Sequence, residues 1–475
     1  MCSRMRAVVS MLVALLLVTA FPARVPTAPQ ADAAFEQLAT LVAQKMAEYS
    51  VPGVAFGVLK NGQLTMRGFG VTNVDDPQPL TSDTVFPIAS ISKTVTATAI
   101  MRLAEQGKLE LDAPIRRYIP EFAVADPDAT RDVALWHLLT HTPGWEGQLN
   151  PEDRGIYSLS YFAESQRELP QLAPPGAIWS YNNAGFTIAG RVIELATGQR
   201  IHEALRALVI EPLGLTHTFT RTEDAVTYRF AAAHRSSDGK VTVARPISRS
   251  STVTAGGVWM SLADILAYAK FHLGDGTGAG GKPVLTRKSL ELMRTARVKK
   301  VGTDDEMGLG WHLRKVGGVT TASHGGTLGH ISLLELVPDR NMALAVLTNH
   351  SNGWRLIQDV ERTALRVLEG MTLDPTHTIG HRGLNETMPD ALILAKQPDP
   401  APYVGVYRRP PLNTTNTLRA DGGQLTLDGN SIGFYAPDRA IVTSGNSRGN
   451  PVEFVRKADG TVGWVRVVGR IARKD

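Results

Sequence analysis

Three short stretches of this chain carry residue types that can make and break an acyl bond. The first is Ser90-Ile91-Ser92-Lys93. A serine and a lysine three apart share one helix face, which sets an amine beside a hydroxyl. A serine hydroxyl is a weak nucleophile until a neighbouring base takes its proton. If Ser90 opens a helix, its oxygen also meets the positive end of the helix dipole. Pro87 ahead of the run and Gly107 behind it mark the ends of such a helix. Val95, Thr96 and Thr98 are poor helix formers, so tertiary packing must hold it, as in a central buried helix. Alone, this spacing more often describes a capping serine and an exposed lysine in a solvated turn. The partners decide.

The second stretch is Ser180-Tyr181-Asn182-Asn183. Tyr181 and Asn183 alternate across a turn, so both can face one cavity. A tyrosine beside a lysine ammonium has a lowered pKa and can act as a base. The competing reading is a buried tyrosine anchored by its hydroxyl, with Asn183 capping the next helix. The third stretch, Ser323-His324-Gly325-Gly326-Thr327, ends a strand expected at Thr320 to Ser323. Paired glycines let a substrate lie against a strand backbone. The competing reading is a strand bulge with a surface histidine.

The elements that must position these stretches follow from pattern. Phe35, Leu38, Leu41, Val42, Met46 and Tyr49 recur at helical spacing after Asp32, and Pro52-Gly53 ends that helix. Val54 to Leu59 and Gln63 to Val71 form a hairpin around Asn61-Gly62. Residues 100–270 read as mostly helical, with Val133 to Leu139, Thr187 to Thr197, Ile201 to Val209 and Leu262 to Leu273. Strands return at Gly308 to Leu313, Thr320 to Ser323, Ile331 to Val337 and Met342 to Asn349, and Trp354 to Leu368 closes as a helix. Early and late strands around a helical insert predict an α+β domain: an antiparallel sheet flanked by helices, with a helical subdomain. Residues 371–400 read as a linker. Residues 401–475 alternate short strands with Gly, Asn and Asp, which predicts a small all-β barrel or sandwich with no catalytic cluster of its own.

Composition narrows the function. The net charge of +5 is spread without a basic run, which argues against nucleic-acid binding. Arg4 and Arg6, the apolar Val8 to Phe21 and the small residues to Ala34 predict a signal peptide over 1–31, with an uncleaved anchor as the alternative. A secreted or periplasmic chain without stable membrane insertion follows. The one cysteine, Cys2, falls in that leader, so the mature chain has no thiol nucleophile, disulfide or Cys-based metal site. His137 and His141 stand i, i+4 on an expected helix, yet the His-Glu-x-x-His pattern and a third ligand are missing, so no metal is expected. Their expected role is hydrogen bonding that shapes a loop over the site. Gly276 to Lys282 spells a phosphate-loop pattern, but Pro283 stands where Ser or Thr is required, and the run reads as a surface loop. Trp145, Trp179, Trp259 and Trp311 fit core packing as well as a pocket wall.

Taken together, the three stretches resemble the serine β-lactamase and penicillin-binding superfamily, in the branch with class C β-lactamases, D,D-carboxypeptidases, family VIII esterases and D-aminopeptidases. His137-Leu138-Leu139-Thr140-His141-Thr142-Pro143-Gly144, Glu211-Pro212-Leu213-Gly214-Leu215, Ala255-Gly256-Gly257-Val258 and Gly308-Leu309-Gly310-Trp311 extend the resemblance over about residues 35–370. The tail resembles the lipocalin-like domain that some of these proteins carry. The resemblance implies a cofactor-free serine hydrolase acting on a small-molecule or peptide substrate. Ser90 would form an acyl-enzyme, Lys93 and Tyr181 would share the proton transfers with Tyr181 the favoured base for attack and for the deacylating water, and Asn183 would hold the substrate amide or Lys93. The amides of Ser90 and Thr327 would form the oxyanion hole. Relatives of the lactamase and carboxypeptidase type usually begin the third triplet with Lys, where this chain has His324. A neutral histidine pairs poorly with a substrate carboxylate. That departure favours an esterase, an amidase or a peptidase acting on D-residues or N-terminal groups over a β-lactamase or D,D-carboxypeptidase. A non-turnover penicillin-binding sensor or scaffold is the rival from another class. Oligomerisation through the C-terminal domain, as in a self-compartmentalising archaeal peptidase of the superfamily, is a further expectation.

Overall fold

The central strands of the main sheet are apolar on both faces because both faces are covered. Gly53–Lys60, Ile331–Val337 and Met342–Thr348 are buried almost throughout. Along the first of them, Val54, Phe56 and Val58 point into one core, and Ala55 and Leu59 into the other. The computed structural model describes residues 28–147, 152, 154–244, 252–300, 303–375 and 390–475. Its main sheet is antiparallel and eight-stranded. The order is 63–70, 53–60, 342–348, 331–337, 319–327, 312–316, 306–307, 298–299. On one face lie the helices Ala28–Tyr49 and Gly353–Glu369, through Phe35, Leu38, Leu356 and Val360. On the other lie Ser92–Glu105, Asn183–Thr197 and Leu262–Leu273, through Ile100, Phe186 and Ile265.

The expected α+β architecture with a helical insert is therefore present. Asn61 and Gly62 both have positive φ, 50° and 82°, as a two-residue hairpin turn requires. Ser92–Glu105 is the expected buried central helix, and all residues from Ser92 to Met101 are buried. Two small sheets lie in the segment read as helix and loop. One joins Val85–Pro87, Trp259–Ser261 and Thr218–Phe219, and the other pairs His234–Ser237 with Lys240–Val243. Such strands are too short to show alternation. The strand expected at Thr320 to Ser323 spans Val319–Thr327, so the His324 triplet lies within it rather than beyond its end.

A closed eight-stranded barrel follows, from Gly405–Arg409 to Arg470–Lys474. Tyr407, Leu418, Phe434, Phe454 and Val465 fill its interior. Strands such as Thr414–Asp421 escape sequence reading because their outward residues are polar and few inward ones are large. The barrel seats on the α+β domain. Val455 and Ile471 pack with Leu172, Ala173 and Ile178, and Trp464 Nε1 donates to the Leu172 carbonyl at 2.9 Å. Each described end of the expected 371–400 linker is anchored. Met371 and Leu373 enter the sheet–helix core, and the Leu394 amide donates to the Phe434 carbonyl at 2.8 Å. Of the expected leader, residues 1–27 lie outside the described residues, and the first helix begins at Ala28 rather than after Asp32. Among the described residues no helix is long and apolar enough to cross a membrane.

Gly326 sets how closely the third stretch approaches the first. A Cβ there would lie 2.3 Å from the Ile88 carbonyl oxygen and 2.3 Å from Ser332 Oγ. The Ile88 oxygen is backbone and cannot rotate away. Gly326→Ala should cost about 1–3 kcal/mol. Urea denaturation should show a lower midpoint at unchanged slope, and an unchanged midpoint would show that the two segments separate freely.

Candidate active site

Ser90 sits in a single 3-10 turn, Ala89–Ile91, that leads into the helix Ser92–Glu105. Ala89 has φ 47°, a left-handed conformation that costs a residue with a Cβ about 1–2 kcal/mol. The surroundings hold the turn in place. Ser92 Oγ donates to the Ala89 carbonyl at 2.6 Å and accepts from the Val258 amide at 3.0 Å. Ser332 Oγ donates to the Ile88 carbonyl at 3.0 Å. Ser90 itself is half-buried at the helix start.

Lys93 is fully buried one turn on. Its Nζ lies 3.3 Å from Ser90 Oγ, 2.5 Å from the Ala255 carbonyl and 4.9 Å from the centre of the Tyr181 ring. Burial pushes its pKa well below the ordinary lysine value, and the Arg470 cation adds to that. A neutral amine here can donate to the Ala255 carbonyl and still present a lone pair to the Ser90 hydroxyl.

Tyr181 is buried on the connection into the helix Asn183–Thr197. The helix cap is Asn182, whose Oδ1 accepts from the Gly185 amide at 2.7 Å. Asn183, the capping residue of the competing reading, is instead the first helical residue and half-buried. His141 shapes this connection. Its Nδ1 accepts from the Asn182 amide at 2.9 Å, and its ring stands 4.4 Å from that of Tyr181. It does not share a helix with His137, because the helix Leu135–Leu139 ends first and His141 has φ 61°. Among the described residues no group of His, Cys, Asp and Glu could hold a metal ion.

On strand Val319–Thr327, His324 is buried with its ring 6.4 Å from that of Tyr181. Burial lowers its pKa to about 3. The ring is therefore neutral near pH 7. Its Nδ1–H donates to the Gly325 carbonyl at 2.7 Å, which leaves Nε2 as an acceptor. His312 lies 5.0 Å from it, ring to ring, and Lys300 Nζ is 2.8 Å from His312 Nδ1. Gly325 is half-buried and Thr327 is exposed. The expectation that both glycines make room for substrate is corrected for Gly326, whose open side abuts the Ile88 carbonyl.

The structure thus gathers Ser90, Lys93, Tyr181 and His324. It adds a contact from the tail, where no catalytic cluster is expected. The Gly469 carbonyl accepts from the Tyr181 amide at 2.8 Å, and Arg470 Nη1 donates to the Tyr181 carbonyl at 2.8 Å. No local signal marks these two residues, since a Gly-Arg pair after a strand is an ordinary turn. A cavity of about 400 Å³ opens between the domains, with Trp179, Lys300, Arg314, Arg439, Glu453 and Gly469 in its wall. Ser90, Lys93 and Tyr181 are not in that wall.

The β-lactamase family model matches residues 38–368. Penicillin-binding protein 4 of Amycolatopsis lactamdurans is 32% identical over 374 residues, covering 76% of this chain and 94% of that protein. Esterase EstB of Burkholderia gladioli is 36% identical over 208 residues, covering 40% of this chain and 53% of that one. Crystal structures of SurE, one of them with D-Leu, superpose with a TM-score of 0.75 at 25% identity. They cover 94% of this chain and 100% of SurE, a span that must include the barrel.

The neutral state of His324 is directly measurable. In a carbon-13 NMR titration its ring signal, assigned with His324→Gln, should stay at the neutral position from pH 9 down to pH 5. A midpoint near 6.5 would show a solvated ring.

Proposed function

This chain belongs to the β-lactamase family of serine hydrolases, and we propose that it cleaves ester or amide bonds through an acyl-enzyme on Ser90. The observation that carries the reading is the buried Lys93 amine, 3.3 Å from Ser90 Oγ, with its pKa pushed well down. Neutral Lys93 takes the Ser90 proton as Oγ attacks the substrate carbonyl carbon. The negative charge that forms on the carbonyl oxygen is held by the Ser90 and Thr327 amides. The leaving group takes a proton from Lys93 or Tyr181 as its bond to carbon breaks. Water, deprotonated by the same pair, then releases the acid and frees Ser90. Asn183 orients the substrate amide.

Esters, amides and peptides with D-residues or modified N-termini fit this site better than β-lactams. His324 supplies no fixed cation for a lactam carboxylate. Similarity to an esterase, and to a protein crystallised with D-Leu, supports that class. The second reading, a penicillin-binding carboxypeptidase or slow acceptor, is favoured by similarity to Penicillin-binding protein 4. Secretion behind a cleaved leader remains part of the proposal.

Incubation with short-chain p-nitrophenyl esters, D- and L-aminoacyl p-nitroanilides and a chromogenic cephalosporin separates these readings. Ester or D-aminoacyl turnover should exceed cephalosporin turnover, and Ser90→Ala should lower it by about 10³-fold or more. A stable mass adduct from the cephalosporin without turnover of any substrate would establish the second reading instead. Lys93→Arg tests the base separately. A guanidinium keeps the positive charge but does not become neutral, so kcat should fall about 10²–10⁴-fold. A near-normal rate in Lys93→Arg would remove Lys93 from the proton transfer.

A further inference from the structure

We propose that the C-terminal barrel completes the catalytic centre, with Arg470 as a positioning residue that fixes Tyr181. The inference rests on the acyl-enzyme reading and concerns how that site is assembled.

The contact is made at the peptide of Tyr181 itself. Consecutive barrel residues take both its polar groups: the Gly469 carbonyl accepts from its amide and Arg470 Nη1 donates to its carbonyl. The neighbouring residues follow suit. Arg466 Nη1 donates to the Trp179 carbonyl at 3.1 Å, and Ser180 Oγ accepts from the Ile471 amide at 3.2 Å. The segment 179–181 is therefore hydrogen-bonded to the barrel at every residue. The hairpin that reaches it is unusual. Val468 and Gly469 both have positive φ, 49° and 75°, between strands Val462–Val467 and Arg470–Lys474. A β-branched residue is disfavoured there.

The catalytic domain in turn orients Arg470. Glu146, 2% exposed, lies 3.5 Å from Arg470 and 3.4 Å from Arg409. Arg409 Nε donates to the Ile471 carbonyl at 3.2 Å, which ties the first barrel strand to the last beside this carboxylate. Arg470 therefore sits in a built socket. Its guanidinium carbon lies 5.5 Å from the centre of the Tyr181 ring, and Lys93 Nζ lies 4.9 Å from that centre. The ring stands between the Lys93 amine of one domain and the Arg470 guanidinium of the other.

The titratable and charged groups around Lys93 are Ser90 on its own helix, Tyr181 and His141 from the helical side, His324 from the sheet, and Arg470 from the barrel. His141 and His324 are both held neutral by burial. Arg470 is thus the permanent charge of the set, and a permanent cation favours loss of the Lys93 proton. The same guanidinium holds the backbone of the tyrosine. Removing it should loosen the geometry and return Lys93 toward its ammonium form.

The experiment uses the full-length enzyme with Arg470→Met and Arg470→Lys. Two readouts are taken: ester kcat/KM from pH 5 to 10, and the Lys93 titration by NMR of carbon-13-labelled lysine. In Arg470→Met, kcat/KM should fall about tenfold or more and its acidic limb should move up by about one pH unit. The Lys93 midpoint should move with it. Arg470→Lys restores the charge without the fork, so its limb should stay near that of the parent while kcat remains low. A parent-like rate and limb in Arg470→Met would overturn the inference. If Arg470→Met does not fold, Arg470→Lys decides, and full activity there would overturn the positioning role. If the parent turns over no substrate and Ser90 takes no fluorophosphonate label, the acyl-enzyme reading fails. The Lys93 midpoint then still judges the inference: an unmoved midpoint in Arg470→Met overturns it.

Discussion

A lysine amine is buried beside a serine, and the rest of the structure is arranged around keeping it there. An ammonium taken out of water without a counter-charge costs several kcal/mol, so a lysine in that position gives up its proton instead. This needs full desolvation, and full desolvation needs a helix covered on all sides. Ser92–Glu105 meets that need: its threonines donate inward to backbone carbonyls, as Thr96 Oγ1 does to Thr254 at 2.8 Å. The sheet behind it is apolar on both faces for the same reason. The carboxylates of this region are occupied elsewhere, Glu146 with two arginines and Asp305 with Arg314 and Lys300.

Closeness to the serine is the second requirement, and it comes from backbone more than from side chains. Ala89 accepts a left-handed conformation, Gly326 accepts contact with the Ile88 carbonyl, and Ser92 and Ser332 stitch the turn from two directions. None of these features is chemical in itself. Together they hold the Ser90 turn against the strand that carries His324. Proton transfer over hydrogen-bond distances, as proposed for this site, depends on such close placement.

Much of this was legible in the chain. Asn61-Gly62 specified its hairpin because few residues tolerate two positive φ values in a row. Ile331–Val337 and Met342–Thr348 emerged because continuous apolar runs bounded by a Pro-Asp-Arg-Asn turn leave little alternative. Ser90 and Lys93 were readable because their spacing is itself the geometry. What was hidden lay in contacts that no local pattern encodes. Asn182 and Asn183 are indistinguishable as caps until the helix start is known. His141 looked like a helical neighbour of His137 because its positive φ leaves no mark in sequence. Arg470 lies 289 residues from the tyrosine it holds, in a barrel whose own strands are partly polar.

The histidine in the third triplet and the arginine arriving from the barrel belong to one electrostatic arrangement. The resemblance places a lysine at position 324 in many relatives. Here a second fixed cation in that place would face Lys93 and its protonated state across a low-dielectric interior, together with Arg470. Like charges at such range repel strongly where water cannot screen them. A neutral imidazole removes the conflict: His324 keeps a polar acceptor on the strand while the positive charge resides in Arg470, where Glu146 and Arg409 fix it. The consequence is that the catalytic domain alone lacks the cation that its buried lysine responds to. The barrel and the serine site are thus one electrostatic unit, joined where the barrel packs on the domain that holds Lys93.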